Sequence, residues 1–437
     1  MIGRQITQAA PRLLVMFFSF AFLGYLLNRL IPSTWITSFF GSGHACSLPL
    51  AATLGLPIYI NSQASLPRLR AMLDSGMSQG AAQAFLISGA GTSQAAPALS
   101  PTRTPAPVPT LTPVPAFKAR VAIGRAAGYD RALIRSQLEA LFDNLGGIGD
   151  IVHSGSHVVI KTNLTGGNNF QAPDGFTPTE TYATHPEVVR AVGELARDAG
   201  ASQITIVEAV YDDQSYPGWG YTQIARDLNA TLIDLNKPDP YTVFASAPVG
   251  VGYYFIQSFI CHRILTEADA FISVAKMKCH YNAGITLSMK NLVGMLPYTL
   301  YRENTGDWWR STLHAGDTGS RLPRILLDLN RARPIHLAVI DGVMTGEGGE
   351  APRGSFKAVQ PGVLVAEKNP VATDAVSAAV MSFDPTVEPP VAPFLRGDNY
   401  LNLARDLGLG TNKLDEIEVV GEKIQAVKYP FEPAWEM

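Results

Sequence analysis

Three side chains of the right type for anion chemistry follow one another at alternate positions: Lys276, Lys278 and His280, behind the apolar run Phe271–Ala275. In an extended segment alternate residues share one face, so two ammonium groups and an imidazole face the same space. Lys290 and Asn291 come soon after, inside the apolar line Ile285, Leu287, Met289, Leu292 and Val293, which reads as a buried helix. Lys161 with Asn163 ends another apolar run, Val158–Ile160. Ammonium groups converging near a helix start bind phosphate or carboxylate, and lysines that end a buried strand carry a desolvation cost a ligand can offset. The ligand-binding candidates are therefore Lys161, Asn163, Lys276, Lys278, Lys290 and Asn291.

His280 is the acid–base candidate, because its ordinary pKa of about 6.5 is easily tuned by neighbouring lysines. Asp341 and Glu347 are its carboxylate partners; they bracket Gly342 and Gly346 in DGVMTGEGGEAPRG, which reads as a glycine-rich loop after a strand. Imidazole and carboxylate also suit a divalent metal, so His185, His280, His314 and Glu208 are metal-ligand candidates, although no HxxxH-type spacing joins them. Cys279 has no acid–base partner in the sequence and reads as a buried thiol.

The elements that must hold these groups alternate. Strand signals near 157–164, 204–207, 232–235, 271–275, 337–340 and 363–366 are interleaved with helix signals near 221–228, 323–331, 371–381 and 401–407. Before Val188, Thr184-His185-Pro186-Glu187 reads as a Thr cap with Pro in the first turn, and Gly200 ends that helix. Such alternation predicts an α/β fold with a mostly parallel sheet flanked by helices and a site at the carboxyl ends of the strands, where Lys161, Glu208, Lys276 and Asp341 fall.

In 437 residues, 34 basic against 37 acidic side chains give a net charge of −3, which lacks the basic surplus that nucleic-acid binding requires. Cys46, Cys261 and Cys279 are too scattered to hold an iron–sulfur cluster or a disulfide framework. The first 95 residues differ in kind: apolar stretches at 13–27, 46–60 and 81–95, broken by Gly or Pro, predict a short α-helical membrane region. Arg4, Arg12, Arg68 and Arg70 would share the cytoplasmic side if all three cross, which sends the rest of the chain out of the cell. Residues 96–116, including PTRTPAPVPTLTPVP, form a Pro/Thr-rich spacer, and 117–437 form the α/β part. Expected is a cell-membrane protein whose α/β part is extracytoplasmic.

The pieces VVIKTNL (158–164), THPEVVRAVGELARDAGA (184–201), ADAFISVAKMKCHYNAGITLSMKNLVGMLP (268–297), VIDGVMTGEGGEAPRG (339–354) and NPVATDAVSAAVM (369–381) resemble, in order, the family catalogued as domain of unknown function 362. GHACSLPLAATLGLPIYINSQASLP (43–67) and GMSQGAAQAFLISGAGTS (76–93) resemble the end of a predicted YraQ-like permease. The first resemblance implies no established reaction; members with an attached ferredoxin module are labelled iron–sulfur proteins, and this chain lacks those cysteines. Where that family commonly has Lys-Thr-His, this chain has Lys278-Cys279-His280. The expectation is a membrane-anchored enzyme acting on a small anionic metabolite. The alternatives are a non-catalytic binding module coupled to a permease and an iron–sulfur-associated redox protein, which the cysteine count disfavours. A permease or redox protein is the partner expected, and a divalent metal the cofactor candidate.

Overall fold

The computed structural model describes residues 119–435 apart from 168–170, 317 and 350–354. The expected membrane region at 1–95 and spacer at 96–116 lie outside the described residues, and among these no helix is long and apolar enough to cross a membrane. Twelve strands are described: β1 (Ala119–Arg125), β2 (His157–Lys161), β3 (Gln203–Glu208), β4 (Thr231–Asp234), β5 (Ala245–Pro248), β6 (Ser258–Cys261), β7 (Ala270–His280), β8 (Gly284–Thr286), β9 (Leu337–Glu347), β10 (Lys357–Val359), β11 (Val363–Glu367) and β12 (Ile417–Gly421). The helices that matter for the site are α1 (Arg131–Asn144), α2 (Pro178–Thr181), α3 (Pro186–Asp198), α4 (Ser288–Asn291), α5 (Thr318–Ala332), α6 (Pro370–Val380) and α7 (Tyr400–Asp406).

One mixed, mostly parallel sheet runs β12-β1-β11-β9-β7-β2-β3-β4, with β8 paired to β7 and β10 to β9; β5 and β6 form a separate hairpin. Along that path only β11 runs against its neighbours. Alternation decides the two faces. Ala270, Ile272 and Val274 of β7 join the core beneath α1 and α3, while Phe271, Ala275 and Met277 join the core beneath α5 and α6. A sheet buried on both faces explains why its strands read as continuous apolar runs, each large side chain contributing roughly 1.5–3 kcal/mol. From β2 the chain steps outward through β3 to β4, then returns to place β7 on β2's other side. That reversal leaves a crevice beyond the ends of β2 and β7, the usual ligand site of such sheets.

Four local expectations change. First, β7 does not end at Ala275 but continues through Lys276 and Lys278 to His280, because its outer half pairs with β8 and β9. Second, Ile285–Val293 is not one helix: Gly284 turns the chain with φ 76°, β8 returns along β7, and only Ser288–Asn291 is α-helical before a 3-10 turn, Leu292–Met295. Third, Asp341–Glu347 is strand, not loop. A β-carbon on Gly346 would sit 1.9 Å from the Phe356 ring and one on Gly342 2.9 Å from Val363, so these glycines serve close packing. Fourth, the cap of α3 is His185, whose Nδ1 accepts from the Glu187 N–H at 3.2 Å, while the Thr184 hydroxyl donates to the Val274 carbonyl at 3.0 Å.

Candidate functional site

Neighbouring strand ends first neutralise one another. Lys161, closing β2, donates to Glu208 Oε1 at 2.8 Å, to the Thr162 carbonyl at 2.7 Å and to Asn291 Oδ1 at 3.3 Å. Glu208, closing β3, also accepts from the Leu164 and Ala209 N–H groups. In the same way Lys276 of β7 lies opposite Asp341 of β9 and donates to its Oδ2 at 2.8 Å, with Tyr129 Oη and the carbonyls of Thr179 and Met344 as further acceptors. Asp341 takes three more bonds, from the Tyr129 hydroxyl and the His185 and Val343 N–H groups. Lys161, Lys276 and Asp341 are wholly buried. Burial pulls both ammonium pKa values down and the paired carboxylates push them back up.

Beyond these pairs the crevice opens into a cavity of about 310 Å³. Its wall combines Lys278, Lys290 and Arg310, the polar groups Asn163, Asn282, Thr286 and Asn291, the histidines His280 and His314, and the rings of Tyr211, Trp308 and Trp309. Glu208 is the one carboxylate on this wall among the described residues, and it is already bound to Lys161. Three cations, Lys278, Lys290 and Arg310, therefore converge on one side of this space. Arg310 is fixed by its bonds to the carbonyls of Leu296 (2.6 Å) and Ala209 (3.1 Å) and lies over the Tyr211 ring. Lys278 donates to the Tyr182 carbonyl at 2.7 Å. Two buried polar atoms of the wall, Asn163 Oδ1 and Thr286 Oγ1, have no hydrogen-bond partner; leaving such an atom unpaired costs about 1–3 kcal/mol, which a ligand would remove.

His280 accepts two backbone N–H bonds at Nδ1, from Asn282 at 3.2 Å and Ala283 at 3.1 Å, so its neutral ring carries the proton on Nε2. Burial, then Lys290, His314 and Lys278, hold its pKa well below the usual value, and His314 is pulled down to about 3 by burial and Lys290. Both rings are neutral at physiological pH.

Lys290 and Asn291 owe their place to a residue on another helix. Asp374 of α6, wholly buried, accepts from the Ser288 N–H at 2.9 Å, the Ser288 hydroxyl at 2.5 Å and the Met289 N–H at 3.1 Å, and so caps α4. Burial raises its pKa to about 7 against those bonds. In the sequence Asp374 reads as a helix-start carboxylate; the structure gives it this second helix to hold.

Lys278, His280, Lys290, Asn291, Asn163, His314 and Glu208 of the sequence candidates meet at the cavity. Lys161 stands directly behind Glu208. Lys276, Asp341 and His185 form a separate buried cluster in which the His185 ring stacks on Tyr129 at 3.6 Å, its pKa lowered to about 4 by burial. Glu347 is also elsewhere, accepting from the Glu432 N–H near Cys279, whose Sγ lies 3.1 Å from the Glu432 carbonyl. Among the described residues no three His, Cys, Asp or Glu side chains are grouped so as to hold a metal. Sequence reasoning missed Arg310, Tyr211, Trp308, Trp309, Asn282 and Thr286. The signal available was the run Trp308-Trp309-Arg310 four residues before His314, two large rings and a cation in a polar stretch.

A family model described as Domain of unknown function (DUF362) matches residues 158–379, just over half of the chain and inclusive of every residue of the cavity wall. A second, described as Predicted permease, matches residues 8–95. Among curated proteins, the thylakoid-associated protein sll1697 of Synechocystis sp. is 27% identical over 273 residues, which is 62% of this chain and 77% of that protein.

Proposed function

The chain belongs to the DUF362 family, and from that premise we propose that its α/β part binds a small anionic metabolite in the cavity at the strand reversal and acts on it. The observation that carries this reading is the wall itself: Lys278, Lys290 and Arg310 gathered around one cavity, beside the unpaired Asn163 Oδ1 and Thr286 Oγ1. A ligand satisfying all five is an anion that also carries a hydroxyl or amine donor for Asn163 Oδ1, with Tyr211, Trp308 and Trp309 covering its apolar part. His280, with its proton fixed on Nε2, serves as hydrogen-bond donor or general acid to an oxygen that gains charge during proton transfer next to a carboxylate. Asp341 and Glu347 are not at hand to act as base, which narrows the acid–base candidates to the two histidines.

A thermal-shift screen of the full chain against hydroxy acids, amino acids and phosphate esters tests the binding half. Stabilisation that Lys290→Ala removes supports it; stabilisation that Lys290→Ala leaves intact places the ligand elsewhere. A second reading, a non-catalytic binding module serving a permease, is favoured by the Predicted permease match on the same chain. Prolonged incubation with the stabilising compound separates the two, since only the enzyme forms product. We place the chain in the cell membrane through residues 1–95, with the α/β part outside the cytoplasm.

A further inference from the structure

The β5–β6 connection carries GVGYYFIQ (250–257), and it leaves its apolar side chains in solvent: Val251 is 95% exposed, Tyr253 44%, Tyr254 38% and Phe255 43%, with Ile260 of β6 at 42%. Such a loop would ordinarily fold its rings inward or be polar. Here it is held outward. The buried carboxylate of Asp328 accepts three consecutive N–H groups of the loop, from Tyr254 (2.9 Å), Phe255 (2.9 Å) and Ile256 (3.1 Å). Asp328 belongs to a stripe of α5 at helical spacing: Arg321, Arg324, Asp328 and Arg331. Arg321 lies over the Phe255 ring at 4.9 Å, Arg324 over the Tyr254 ring at 5.8 Å, and Arg331 donates to the carbonyls of Val251 and Gly252.

We infer that this loop is a membrane-interface anchor, with Val251, Tyr253, Tyr254 and Phe255 entering the headgroup layer and Arg321 and Arg331 behind them meeting anionic lipid phosphates, while Arg324 is paired with Asp398. The side-chain chemistry selects the occupant. Tyrosines with one apolar and one polar end suit the interface better than a dry protein contact, an aliphatic tip at the far end suits the acyl boundary, and the guanidinium groups of Arg321 and Arg331 one ring deeper lie where phosphates sit. The loop is pre-formed, so insertion costs little ordering. The inference does not rest on the cavity having a ligand.

The test uses the full chain with Cys46→Ser and Val251→Cys, since Cys261 and Cys279 are buried. A nitroxide on residue 251 is compared with one at exposed Glu139→Cys of α1, in phosphatidylcholine vesicles with and without phosphatidylglycerol. The anchor predicts that the label at 251, unlike that at 139, is shielded from a water-soluble nickel chelate and open to oxygen. Phosphatidylglycerol should deepen the shielding, and Arg321→Gln should weaken that lipid preference about fivefold. Equal nickel access at 251 and 139 in both vesicles overturns the inference. So does shielding that persists unchanged in a lipid-free amphipathic polymer, because the cover is then another part of this chain.

Discussion

A lysine at a strand end means different things according to what the next strand brings beside it. Lys276 meets Asp341 and Lys161 meets Glu208, whereas Lys278 and Lys290 reach the cavity. The two classes should separate on mutation. Lys276→Ala leaves Asp341 buried without its cation and should cost about 3–5 kcal/mol of stability, read by denaturant unfolding, with no direct effect on cavity chemistry. Lys290→Ala removes a charge from the wall and should change stability far less while weakening anion binding about tenfold or more, measured by calorimetric titration. Asp374 adds a pH signature. Its folded carboxyl titrates at about 7 against about 3.9 in an unfolded chain, so the folded state binds this proton more tightly. The sign follows: its contribution to stability is greatest below about pH 4, declines as pH rises to about 7, and is constant above that. Unfolding midpoints at about pH 5 and pH 8 should differ in that direction, and Asp374→Asn should flatten the difference while lowering both values.

At the scale of the element, the 3-10 turn after α4 is as tightly specified as the charges. A β-carbon on Gly294 would lie 2.3 Å from Glu208 Oε1 and 2.6 Å from Lys161 Nζ, so Gly294→Ala should force that ion pair apart and cost about 1–3 kcal/mol. An unfolding midpoint unchanged from the parent would show that the turn can give way. The same stretch shows how far the sequence could be read. Strands at 158–160, 204–207 and 337–340 and helices at 371–380 and 401–406 follow from apolar period and punctuation, and they are where expected. What local pattern could not carry was pairing across strands. Lys276 reads as the end of a buried strand because a lone lysine there is costly; only the register that places Asp341 opposite makes it interior, and nothing near Lys276 in sequence announces that. The glycines at 342 and 346 read as part of a glycine-rich loop, whereas in the strand they make room for Met277, Val363 and Phe356. The run Trp308-Trp309-Arg310 marks its stretch in the sequence, but not how Arg310 is held: its anchors are the carbonyls of Leu296 and Ala209, and a backbone acceptor leaves no trace in sequence.

For the whole molecule, the reversal of strand order between β2 and β7 is what turns scattered residues into one site. Asn163, Lys278, Lys290 and the Arg310–His314 stretch come from four places along the chain and share only that crevice. The proposed sidedness has its own test: protease added to intact spheroplasts should cleave the α/β part if it lies outside the cytoplasm, and should spare it until lysis if it lies within. The account depends most on what fills the cavity. The most direct measurement is a crystal structure of the chain with the anion that gives the largest thermal shift. Ligand density between Lys278, Lys290 and Arg310, within hydrogen-bond distance of Asn163 Oδ1 or Thr286 Oγ1, is the predicted result. The same anion bound at another surface, with the cavity holding only water, would contradict it.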